Sequence, residues 1–214
     1  MEWIKIRYCL FFKMKGEIMF TQFLNNFWIM TIILLFAGML FAEEKELVLN
    51  VGDEAPGFVL NNQDGELWNI KTYLGKKNIV VYFYPAAMTG GCTKQACSYR
   101  DAKSDLEGQD IMVVGISSDA VKNLKAFQQV NQLSFDLLSD ASGEVAKKFG
   151  VPLNDGGSIV REIGEDEISL ERSYTPNRWT FMIDKQGKIA YKDTDVDAAD
   201  DSNKILDFFQ KSDR

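Results

Sequence analysis

"NIVVYFYPAAMTGGCTKQACSYRDA", residues 78–102, decides the fold. Asn78 to Tyr84 is an unbroken β-branched and aromatic run stopped by Pro85, the pattern of a strand covered on both faces and hence of a central strand. A polar turn through Thr89, Gly90 and Gly91 follows. Good helix formers then run from near Cys92 to near Gly108, so the strand delivers the chain to a helix that opens on a cysteine.

The flanking sequence repeats the alternation. Before it, Phe58–Leu60 and Leu67–Ile70 are short strand-like pieces joined by a polar turn ending in Asp64-Gly65, a hairpin signature. After it come a buried strand, "IMVVGISSD", and a helix, "AVKNLKAFQQVN", with Val121, Leu124, Phe127 and Val130 on one face. A short strand at Phe135–Leu138, a helix through "SGEVAKKF", the strands "RWTFMID" and "GKIAYKD", and a closing helix with Ile205, Phe208 and Phe209 inward complete the series. The order specifies an α/β sandwich: a central mixed sheet flanked by helices, with the early hairpin as an N-terminal extension. Residues 151–177 are too long for a structureless connection, and "SIVREIG" against "EISLERS" supplies a local hairpin there.

The chain has 214 residues, 46% of them hydrophobic, enough for one core. The expected organisation is a leader or membrane anchor over residues 1–42 and one domain over residues 43–214. The apolar run Phe27–Ala42 is sixteen residues, short of the roughly 20 that span a bilayer. Lys13 and Lys15 precede it and "EEKE" follows, so it resembles a secretory signal peptide, with Ala42 before the cleavage point. Leu40 departs from the small residue expected two positions earlier. The expected location is therefore exported and periplasmic, or anchored and facing the periplasm. Beyond residue 42 the chain carries 20 basic and 29 acidic groups, which argues against a phosphate-backbone binder. Histidine is absent, which excludes Ser-His and Cys-His nucleophile pairs and His-ligated metal or haem.

Chemistry therefore falls to the cysteines. Cys9 precedes the apolar run, leaving Cys92 and Cys97 as a pair in the domain. At a helix start, unpaired backbone N–H groups and the aligned dipole favour an anionic sulfur, which makes Cys92 a candidate nucleophile. Gly90 and Gly91 leave that sulfur unshielded and let backbone approach a ligand closely. Positions five apart in a helix lie roughly 8.6 Å apart at Cα, whereas a disulfide tolerates about 7 Å at most. A Cys92–Cys97 bond therefore requires the helix start to unwind, which suits a switch better than a staple. A structural pair in an oxidising compartment remains the alternative.

The stretch "FYPAAMTGGCTKQACSYRDA" resembles the active-site segment of peroxiredoxins, thiol peroxidases of thioredoxin-like fold, in their PrxQ or bacterioferritin-comigratory-protein branch. The pattern Pro-x-x-x-Thr-x-x-Cys falls on Pro85, Thr89 and Cys92. "VGDEAPGFVLNNQDGE", "VVGISSD", "FDLLSDASGEVAKKFGV" and "RWTFMIDKQGKI" extend the likeness, in the family's order, over residues 50–192. The resemblance implies that Cys92 is the peroxidatic thiolate, that Thr89 orients the hydroperoxide and that Pro85 shields the pocket. It further implies that Arg178 supports the thiolate and polarises the O–O bond, and that Cys97 resolves the sulfenic acid as an intramolecular disulfide. The implied partners are a hydroperoxide and a thioredoxin-like dithiol reductant. The implied protein is a monomer, with no cofactor, no metal and no nucleic acid, and with membrane contact only through an uncleaved N-terminal segment.

One departure is local: where the branch has Asp-Thr-Pro-Gly-Cys, this chain has Met88-Thr89-Gly90-Gly91-Cys92, and the lost proline should loosen the pocket. A rival reading is an exported thioredoxin-like redox or metal carrier without peroxidase activity, such as a copper chaperone, but those chaperones rely on a distal histidine.

Overall fold

The structure, a computed structural model, describes residues 48–163 and 166–212. The proposed leader lies outside the described residues. Among the described residues no helix is long and apolar enough to cross a membrane.

Nine strands form among the described residues: β1 (Val59–Asn62), β2 (Leu67–Asn69), β3 (Asn78–Phe83), β4 (Ile111–Ser117), β5 (Asp136–Ser139), β6 (Leu153–Ile163), β7 (Asp166–Pro176), β8 (Trp179–Ile183) and β9 (Ile189–Asp193). The helices are α1 (Gly90–Asp101), α2 (Lys103–Gly108), α3 (Val121–Asn131), α4 (Glu144–Lys148) and α5 (Asp201–Ser212). Seven strands make one mixed sheet in the order β2-β1-β5-β4-β3-β8-β9. β3 and β5 run parallel to β4, while β8 runs antiparallel to β3. The early hairpin adds to the sheet by pairing Asn61 with Ser139 and Asn62 with Leu138.

All six residues of β3 are buried, as its unbroken apolar run predicts. Its side chains alternate between two cores. Ile79, Val81 and Phe83 join Phe149 and Phe181 on one face, and Val80, Tyr82 and Tyr84 join Cys92, Tyr99, Phe127 and Ile205 on the other. Gly115 on β4 makes room for Tyr82: a Cβ there would lie 2.6 Å from the phenol ring.

Three sequence expectations change in detail. The helix expected from Cys92 to Gly108 starts at Gly90 and breaks at Ala102, whose φ of −84° and ψ of 4° are not helical. Val130 is 51% exposed and does not face the core. At about 100° per residue, nine residues carry it half a turn round from Val121. The hairpin expected around "SIVREIG" and "EISLERS" runs the whole length of β6 and β7, with Ile159 opposite Leu170 and Leu153 opposite Pro176. In β7, Leu170, Arg172, Tyr174 and Pro176 are buried while Glu171 and Ser173 are exposed, so one face of this ribbon is covered by protein.

Candidate active site

Pro85 ends the β3 segment half-buried, and the next four residues turn the chain into α1. Thr89 holds the N-cap position with extended backbone, but its side chain does not cap the helix. Its hydroxyl donates to the carbonyl of Ala86 at 2.8 Å. That bond uses the one proton of the hydroxyl and leaves its oxygen lone pairs free to accept. Cys92 follows as the third residue of α1, among backbone N–H groups that have no partner within the helix.

Arg178 reaches this point from the residue before β8. Its Nη2 lies 3.3 Å from the sulfur of Cys92, and its Nη1 donates to Oε1 of Gln95 at 2.5 Å. Gly91 permits the approach, because a Cβ there would sit 3.1 Å from Nη2. The sulfur therefore has a delocalised cation against it in a desolvated setting, where such contacts are strongest. Cys92 itself is only 1% exposed, whereas Gly90 and Gly91, just before it in the chain, are exposed.

The turn is gripped from outside. The N–H of Ala87 donates to Oδ2 of Asp119 at 2.8 Å, and its carbonyl accepts from Nη2 of Arg172 at 3.2 Å. Asp119 and Arg172 are themselves paired at 2.7 Å with side chains 0% and 3% exposed, and Ser117 donates to the same carboxylate at 2.8 Å. Met88 has a left-handed φ of 62°, and its carbonyl accepts from Nε of Arg161 at 3.0 Å. Both arginines come from the β6–β7 ribbon. The lost turn proline therefore leaves a loop held by other means, and Gly90 keeps open space around it.

Gln95 continues inward. Its Nε2 donates to Oδ2 of Asp201 at 2.7 Å, an oxygen that also accepts from Tyr99 at 2.7 Å and Thr180 at 2.8 Å. Burial pushes the Asp201 carboxyl above the usual carboxylate range, opposed by these three hydrogen bonds. Burial first, and the Asp201 charge next, push the Tyr99 phenol well up, so it stays a donor.

Cys97 lies in the same helix, half-buried, and lines a groove of about 540 Å³ with Ser98 and Asp101 on α1 and Ser202, Asn203 and Leu206 on α5. Both cysteines are free thiols. The structure thus brings Cys92, Arg178 and Thr89 to one helix start, with Pro85 at the head of the turn and Cys97 farther along α1. Gln95, Asp119, Arg161, Arg172 and Asp201 were not evident from the sequence. Gln95 alone had a signal, the three-residue spacing that sets it on the same helix face as Cys92. Among the described residues, no three potential ligating side chains gather to hold a metal ion.

Comparison with known proteins identifies the family and the fold. Residues 51–192 match the AhpC/TSA family. The chain is 37% identical over 163 residues to the putative peroxiredoxin bcp of Haemophilus influenzae, covering 76% of this chain and 97% of that one. It is 36% identical over 163 residues to peroxiredoxin Bcp of Escherichia coli (strain K12), with the same coverage. The crystal structure of peroxidoxin BcpB from Mycobacterium tuberculosis superposes with a TM-score of 0.63 at 32% identity, covering 76% of this chain and 97% of that one. A PrxQ mutant structure from Xylella fastidiosa, at 20% identity and a TM-score of 0.65, covers 78% of this chain and 99% of that one and shares the thioredoxin-like fold.

Proposed function

This chain belongs to the AhpC/TSA family, as a peroxiredoxin similar to the Bcp and PrxQ proteins, and from that membership we propose that Cys92 is its peroxidatic cysteine and Cys97 its resolving cysteine. The observation that carries the proposal is the guanidinium of Arg178 lying 3.3 Å from the Cys92 sulfur at the start of α1. The cation and the helix N-terminus stabilise a thiolate and then the negative charge that builds on the peroxide oxygens as the O–O bond breaks. Thr89, its proton engaged by Ala86, accepts the hydroperoxide O–H and turns the distal oxygen toward the sulfur. Pro85 shields the turn. The sulfur takes one oxygen, leaving a sulfenic acid, and the remaining oxygen departs as water or an alcohol. Cys97 then attacks the sulfenic sulfur, releasing water, after α1 unwinds between the two residues.

The oxidised pair returns to two thiols through a thioredoxin-like dithiol reductant, and a single chain completes the cycle as a monomer without a cofactor. If residues 1–42 direct export, that reductant is a periplasmic one. The test is intact-mass measurement on fully reduced protein given one equivalent of hydrogen peroxide. The expected product is the chain less two hydrogens, with Cys92 and Cys97 joined in one peptide pair. Cys97→Ser should instead stop at a form heavier by one oxygen, and Cys92→Ser should not change. Oxidation that persists in Cys92→Ser would overturn the assignment.

A further inference from the structure

The last helix reaches the cysteine turn through a residue that the reaction as described leaves unused. Asp201, first in α5, is wholly buried, and its Oδ2 collects hydrogen bonds from Gln95, Tyr99 and Thr180 while its Oδ1 has no hydrogen-bond partner. Oδ2 takes the hydroxyl protons of Tyr99 and Thr180, so toward Gln95 it presents a lone pair and no proton. Gln95 must therefore turn its NH₂ toward Asp201, which leaves its Oε1 as the group that faces Arg178. With the amide reversed, NH₂ would meet guanidinium, donor against donor. The aim of the cation at Cys92 is thus set by a residue of the last helix, through Gln95.

The same bonds bear on the helix. Two of the three donors to Asp201 belong to α1, and Gln95 lies between Cys92 and Cys97. The wound helix keeps these cysteines too far apart to bond. Joining them requires α1 to open across Gln95, which pulls Gln95 away from Asp201. The contacts therefore belong to the wound dithiol form and oppose the disulfide.

We propose that Asp201 is a positioning residue and a latch: it fixes the Gln95 amide so that Arg178 faces the Cys92 sulfur, and it holds α1 wound, so that the Cys92–Cys97 pair is biased toward the dithiol. The proposal rests on the peroxidase reading above for its consequence. A Cys92 sulfenic acid has two fates. It condenses with the Cys97 thiol, forming S–S and releasing water, or its sulfenate attacks a second hydroperoxide, taking one oxygen to become sulfinate and releasing water or alcohol. The latch slows the first fate and so raises the share of the second when peroxide is in excess.

The test is the midpoint of the cysteine pair in the full chain, equilibrated with dithiothreitol redox buffers and read by thiol alkylation and mass. In Asp201→Asn the carboxamide can still accept from Gln95, but without the charge. The equilibrium should move about tenfold toward the disulfide, a potential about 30 mV more negative. Tyr99→Phe deletes one bond from α1 and keeps the carboxylate, and should move it about threefold the same way. Under excess peroxide both variants should give more disulfide and less sulfinate than the parent. A residue that merely supports the fold would weaken both redox forms alike and leave the midpoint in place. Midpoints within about twofold of the parent, or shifted toward the dithiol, would overturn the latch. If Asp201→Asn does not fold, Tyr99→Phe decides alone. The midpoint needs no peroxide, so a parent protein inert to peroxide would remove the peroxidase reading while still reporting on the latch.

Discussion

Replacing Arg178 with Met slows the oxidation of reduced protein by hydrogen peroxide by about 10²–10³-fold, the scale seen when one donor to a developing oxyanion is removed. The size follows from the geometry. The guanidinium touches the sulfur through one nitrogen and is braced by Gln95 through another, within a site where Cys92 is almost wholly shielded from water. No bulk solvent replaces the lost cation, so both the thiolate and the charge leaving on the peroxide oxygen go unsupported. Arg178→Lys should recover only part of the rate, because an ammonium is a point charge and lacks the planar fork that meets Cys92 and Gln95 together. The measurement is stopped-flow protein fluorescence with peroxide in pseudo-first-order excess. A rate for Arg178→Met within about threefold of the parent would remove Arg178 from the mechanism, being far from the loss expected of a lost oxyanion donor.

The second large effect is on stability. Arg172→Met should destabilise the reduced protein by about 3–5 kcal/mol, because it leaves the Asp119 carboxylate buried without its cation. Adding Asp119→Asn should return a large part of that loss. The asparagine oxygen can still accept from Ala87 and Ser117, and no unpaired charge remains. Urea denaturation of the two single variants and the double variant measures the coupling directly. Additive losses would show that the pair is not a unit. The same variants bear on the site, since Arg172 and Asp119 hold the two backbone groups of Ala87, and a freed turn should also slow peroxide reduction.

How much of this was readable in advance depends on the range of the interaction. The central strand was legible from Asn78–Phe83 alone, because burial on both faces leaves no room for a polar alternation. The cysteine at the helix start was legible for the same local reason, and Arg178 through its place in a family motif. The grip on the turn was not. Arg172 sits on the inward face of β7 among exposed polar neighbours, and only its distant partner Asp119 explains why a cation is buried there. Asp201 stands in an acidic run, "DTDVDAADDSN", where nothing local separates the one buried carboxylate from those on the surface. Its partners come from α1 and β8, so tertiary packing makes the choice. Val130 fell on the wrong side for a simpler reason, since a three-residue step repeated along a helix drifts away from the starting face.

The central claim is that one sulfur, Cys92, is made reactive by where the fold puts it. The most direct measurement is the second-order rate constant of the Cys97→Ser protein with hydrogen peroxide, where a single turnover isolates the first oxidation. The account predicts a rate several orders of magnitude above that of free cysteine at the same pH, lost when Cys92 is also replaced. A rate equal to that of the free amino acid would contradict it.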